Sequence, residues 1–172
     1  MTFPLILFEG QYSHKTKWLY RWIVRTACSH YKNKLPAYVW GKPFTVTFTT
    51  ANEQFTELAY ASPSGLKLKA ADKPGAIEIN TTANKLVHEL SHRLIGEFYR
   101  YDEPLRFHKL DWNLTHWAVY RDRDYTYKQK YPYLKILGYP SVEITYIDIP
   151  KLVRDQEKIL PMIPPYDGSY WV

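Results

Sequence analysis

The chain has 172 residues, including sixteen Tyr, seven Phe, six Trp and one Cys, and carries a formal charge of +6. This length suits one compact domain, 1–172, rather than two autonomous ones, and the aromatic content argues against a disordered chain. The lone Cys28 excludes an intramolecular disulfide and any multi-Cys zinc site, so a metal here needs His and carboxylate ligands.

In chain order, Phe3 to Phe8 is apolar but too short for a signal sequence and lacks a basic lead-in. No stretch approaches a transmembrane helix in length, so the expectation is a cytoplasmic protein with no membrane association. Ser13 is placed to cap a helix over His14 to Tyr31 that carries Trp18, Trp22, Ile23 and Cys28. Phe44 to Thr50 alternates β-branched and aromatic residues as a strand does, and Asn52 to Tyr60 reads as a second helix or a loop. Leu66 to Ala70 and Ala76 to Asn80 also alternate and read as a hairpin joined by Ala71 to Gly75. Lys67 and Lys69 on one face suggest a solvated edge.

Thr81 or Thr82 then caps a helix to about Tyr99, and Asp102, Glu103 and Pro104 open another to about Arg121. Tyr133 to Leu137 and Val142 to Ile149 look strand-like. Lys151 to Ile159 suits a short helix, and 161–172 is a Pro-rich tail.

His88, Glu89 and His92 form H-E-x-x-H within the helix that starts near Thr81. At about 100° per residue, His88 and His92 lie about 40° apart, one turn above the other, and can share one ion. Glu89 is offset by about 100°, beside the ion rather than on it, where a general base is needed. Neutral imidazole suits zinc, and three protein ligands leave a fourth position for water. Leu86, Val87, Leu90, Leu94 and Phe98 cover the far side, so the helix can be buried on its back and open on its histidine face.

Glu97 is turned about 180° from His88 and cannot complete the site. His108 stands in the first turn of the next helix and shares a face with Asp111, away from the apolar stripe of Phe107, Leu110 and Leu114. It is the first choice as third ligand. Asp111 and His116 compete, and Asp111 could instead orient His108.

From Ile77 to about Tyr120, a strand, an H-E-x-x-H helix, a connector and a His at a helix start resemble the small zincins, especially SprT-like (Spartan-type) metallopeptidases. The resemblance implies an α+β zincin-like domain, a small twisted mixed sheet packed on an active-site helix and flanking helices. It implies one zinc ion on His88, His92 and His108, Glu89 as catalytic base, and a protein or peptide substrate. Phe107 and Lys109 stand where that family usually has Gly beside its third His, and no four-Cys ribbon follows.

Residues 1–45 hold seven basic residues, Lys15, Lys17, Arg21, Arg25, Lys32, Lys34 and Lys42, against Glu9 alone, which accounts for the whole charge excess. Interleaved with Tyr and Trp, the helical ones could bind nucleic acid, in keeping with SprT-like action on DNA-attached proteins. Trp18, Trp22 and Ile23 at helical spacing equally suit a core stripe with a solvated basic face. The sequence reading is thus a zinc metalloendopeptidase. Its alternatives are a catalytically silent zincin-like component of a larger assembly and a nucleic-acid-associated protease.

Overall fold

The computed structural model describes residues 3–40, 43–50, 59–62, 64–98, 115, 118, 123–159 and 161. These form a mixed α+β arrangement: β1 (Leu5–Glu9), α1 (His14–Lys32), β2 (Thr45–Thr49), β3 (Ala59–Ser62), β4 (Gly65–Lys69), α2 (Ala76–Phe98), β5 (Thr126–Tyr131), β6 (Val142–Ile147), α3 (Ile149–Arg154) and α4 (Gln156–Ile159). One sheet has the order β1-β2-β4-β3, with β3 antiparallel to its neighbour and the other pairs parallel; β5 and β6 form a separate antiparallel hairpin.

Helix α1 begins where the sequence places it, with Ser13 Oγ accepting from Thr16 N–H at 3.2 Å. The Ser13 N–H in turn donates to Asp72 Oδ1 at 3.1 Å, a bond that holds the Asp72 carboxyl below its usual pKa and ties the β4–α2 connector to the start of α1. The core stripe of α1 is Leu19, Tyr20, Ile23, Val24, Ala27, Cys28 and Tyr31. Trp18 is not part of it: the ring is 43% exposed and stacks on Tyr139, while Trp22 is half-buried edge-on against Tyr131.

Strand alternation gives the sheet two unlike faces. Ile6, Phe8, Val46, Phe48, Leu66 and Leu68 turn toward the helices, where Tyr20 stacks on Phe48 at 4.7 Å. Leu5, Leu7, Thr45, Thr47, Lys67 and Lys69 occupy the opposite face, and Lys67 reaches Glu9 at 2.9 Å. The shared face of Lys67 and Lys69 matches the alternation, but β4 is no edge. It is bonded to β2 on one side and β3 on the other. Ala59 and Tyr60, expected at the end of a helix or loop, belong to β3; 51–58 lie outside the described residues.

The expected strand Ala76 to Asn80 is instead the first turn of α2, and the hairpin with Leu66 to Ala70 does not form. The two isoleucines explain why. An alternating strand would put Ile77 and Ile79 on one face, but Ile77 is 84% exposed and Ile79 only 2%. Ile79 starts the helical series Ile79, Ala83, Leu86, Leu90 and Leu94, all buried. The helix opens at Gly75, whose carbonyl accepts from Ile79 N–H at 3.0 Å and whose N–H donates to Glu78 Oε1 at 3.4 Å.

Hairpin β5–β6 lies against both helices. The segment Tyr133 to Leu137, expected as a strand, is a 3₁₀ turn between β5 and β6, and Gly138 closes it at φ 82°. Only Leu134 is buried there, and Pro132 at its start removes a ladder donor. The preceding β5, TYKQKY, went unread because its middle residues are polar and solvated. Val142–Ile147 and the two short helices α3 and α4 agree with the pattern of their segments. Among the described residues no helix is long and apolar enough to cross a membrane.

Candidate metal centre

Three elements set the orientation of α2. Its buried side packs with Leu86, Leu90 and Leu94 at 1% exposure or less, each contributing about 1.5–3 kcal/mol of apolar burial. On a second side, Asn84 Oδ1 accepts from Thr145 N–H at 3.0 Å and Asn80 Oδ1 from Glu143 N–H at 2.7 Å. Two asparagines one turn apart thus meet alternate donors on the outer edge of β6. The next outward donor, Ile147 N–H, goes to the Tyr31 hydroxyl of α1 at 3.0 Å, and that hydroxyl also lies 3.1 Å from Ile147 O and 3.3 Å from Ser91 Oγ. Ser91 donates to Val87 O at 2.7 Å. Among the described residues the outward donors of β6 are therefore satisfied by side chains rather than by another strand.

With those sides engaged, the remaining stripe of α2 carries the histidines. Ile77 and Thr81 are exposed along it, and His88, Glu89 and His92 are half-buried. The Nε2 atoms of His88 and His92 are 3.0 Å apart, with their rings nearly perpendicular at 84°. Two nitrogens on one tetrahedral zinc, each about 2.0–2.1 Å from it, stand about 3.3 Å apart, so these rings need to part only slightly to admit an ion between them. Each ring must then carry its proton on Nδ1 to leave Nε2 free.

No protein-family model, curated protein or solved structure matches this chain.

Next to the motif, Arg93 is 2% exposed with its guanidinium 4.2 Å from the centre of the Phe44 ring, so a cation is built into the core directly behind the histidine face. Burial pushes the Cys28 thiol up to about 12, with Arg93 opposing the shift; this is an inert core thiol and not a ligand. Lys85, one turn before Glu89, donates to Lys69 O at 3.0 Å, and burial holds its pKa below the usual lysine value.

His108, Asp111 and His116 lie outside the described residues, as does the expected helix 102–121 apart from isolated positions; of Glu97 only the helical backbone is described. Among the described residues no group of three or more His, Cys, Asp or Glu is placed to hold an ion. What sequence reasoning missed is the set of side chains that orient the motif helix. Asn80 and Asn84 at i, i+4 were a legible signal for one polar helix face, but Tyr31 is one tyrosine among sixteen.

The basic residues Lys15, Arg21 and Arg25 are exposed on the outer face of α1, and Lys17 is half-exposed. Near its C-terminal end, His30 stacks on Tyr146 at 3.7 Å and bonds through Nε2 to the Tyr127 hydroxyl, which also accepts from Lys34 Nζ at 2.9 Å. Burial, aided by Lys34, lowers the His30 pKa to about 4, so this ring is neutral at pH 7.

Proposed function

We propose that this chain is a zinc-dependent metallopeptidase, with His88 and His92 as two ligands and Glu89 as the general base. The observation that carries this reading is the 3.0 Å approach of the two Nε2 atoms one helical turn apart on a half-buried stripe of α2. His108 is the proposed third ligand, with Asp111 and His116 as competitors. The mixed α+β fold is compatible with a zincin-like domain of the SprT-like kind.

Zinc held there supplies Lewis acidity that lowers the pKa of water and polarises a carbonyl oxygen. Glu89, displaced around the helix from both histidines, takes the proton of the attacking water and hands it to the leaving amine. Neither Leu66–Ala70 nor Ala76–Asn80 offers an open strand edge to a substrate, the first being paired on both sides and the second helical. We assign that role to β3, the terminal strand of the sheet among the described residues, which packs against α2.

The test is metal analysis with peptide hydrolysis. The wild type carries about one zinc per chain. His88→Ala and His92→Ala weaken zinc binding by more than about a hundredfold, beyond the loss typical of an outer-sphere change. Glu89→Gln keeps zinc and loses about 10²–10⁴ in rate. Absence of zinc in the wild type overturns the proposal; zinc without hydrolysis in wild type and Glu89→Gln alike selects the catalytically silent alternative. The same analysis of His108→Ala, Asp111→Ala and His116→Ala identifies the third ligand.

A further inference from the structure

The edge of the sheet farthest from α2 is β1. Its pairing with β2 begins with Leu5 N–H donating to Phe44 O and ends with Thr50 N–H donating to Glu9 O, both at 3.2 Å. In a parallel ladder alternate residues turn both backbone groups to the same neighbour, so Leu5, Leu7 and Glu9 bond to β2. Ile6 and Phe8 direct their N–H and C=O outward, and among the described residues no strand receives them.

The side chains along this edge are sorted by face. On the open face, Leu5 is 62% and Leu7 45% exposed. On the helix-covered face, Lys17 Nζ and Arg21 Cζ of α1 stand 5.8 and 5.2 Å from the centre of the Phe8 ring. Among the described residues neither cation has a carboxylate partner. Cations rimming one face and exposed leucines on the other define the strand that would complete this edge.

We propose that β1 is a docking edge for an extended peptide segment of a partner protein, one that alternates acidic and apolar residues and adds as a fifth strand. Its acidic side chains lie beside Phe8 under Lys17 and Arg21, and its apolar ones lie beside Leu5 and Leu7. A second copy of this chain is a poor occupant. Pairing two β1 strands about a two-fold axis perpendicular to the sheet puts both α1 helices on the same face and opposes Lys17 and Arg21 to their own counterparts. The inference does not depend on the metal centre.

The probe is a fluorescein-labelled, end-blocked heptapeptide alternating Val and Glu, compared with a peptide of equal composition in two blocks and with one carrying Lys for Glu. Anisotropy with the full chain is expected to show the alternating acidic peptide binding at least tenfold more tightly than either control. On binding, the Ile6 and Phe8 amides become protected from hydrogen exchange. Lys17→Glu with Arg21→Glu, both on the surface of α1, reverses the preference toward the Lys peptide. Equal binding of the block peptide, or binding without protection of those two amides, overturns the proposal, as does a concentration-dependent dimer that protects the same amides without peptide.

Discussion

Tyr31→Phe isolates the contact that joins α1, α2 and β6. The ring is 1% exposed and packs edge-on against Tyr146 at 5.6 Å, a contact that Phe retains. What disappears is the hydroxyl that accepts from Ile147 N–H and whose single proton serves Ile147 O or Ser91 Oγ. Ile147 is itself 1% exposed, so its N–H is left without a partner and without access to water. A stranded buried donor costs about 1–3 kcal/mol and the second lost bond about 1 kcal/mol, giving about 2–4 kcal/mol in total. For a chain of this size each kcal/mol lowers Tm by about 2–4 °C, so a loss near 3 kcal/mol lowers it by about 6–12 °C. Urea denaturation followed by far-UV circular dichroism measures the free energy directly, and the m-value should stay at the wild-type value because the surface exposed on unfolding is the same. A loss below about 0.5 kcal/mol with an unchanged m-value refutes the view that this hydroxyl is a structural tie. Since Ser91 immediately precedes His92, the proposed zinc site predicts that the same variant binds zinc less tightly while keeping both histidines.

Acid should weaken the fold through His30. Its folded pKa of about 4 lies below the unfolded value of about 6.5, so the unfolded chain binds the extra proton first. The neutral ring's contribution is complete above about pH 6.5 and fades as pH falls through about 4; partial exposure limits it to about 1–2 kcal/mol. His30→Phe, which keeps an aromatic ring beside Tyr146, should flatten the stability profile between these limits, and an unchanged slope in urea titrations rules the assignment out. Two glycines separate crowding from backbone strain. A Cβ on Gly65 would meet Thr45 O at 2.4 Å, so Gly65→Ala should cost about 1–3 kcal/mol by forcing β2 and β4 apart. Gly138 has open space but a φ of 82°, so Gly138→Ala should cost only about 1–2 kcal/mol, and thermal melts giving the reverse order contradict the packing argument.

Periodicity decided correctly where one signal was present. Ser13 ahead of a helical stripe, Phe44 to Thr50 in strict alternation, and the leucines behind H-E-x-x-H each admit one solution, and α1, β2 and the buried back of α2 follow from them. It failed where a short run satisfied two periods. Ala76 to Asn80 alternates over five residues, but the same residues also begin the helical series that continues through Ala83 and Leu86, and burial of Ile79 with exposure of Ile77 selects the helix. Lys67 and Lys69 were rightly assigned to one face, yet whether a strand is central or terminal depends on which distant segments pair with it. Here β2 and β3 do.

The candidate centre divides in the same way. Local covalent geometry places His88 and His92 one helical turn apart with Glu89 to the side, because residues that close in sequence have their relative directions set by the helix itself. The rotation that turns this stripe outward comes from Asn80 and Asn84 on β6, Tyr31 on Ile147, and a leucine face in the core. Those polar contacts span 61 to 116 residues of chain, and no local pattern encodes which polar side chain will meet which strand edge. The sequence by itself determined the pair of imidazoles and the carboxylate beside them; the tertiary structure alone decided that, among the described residues, they stand on a half-buried stripe of α2 turned away from its leucine face.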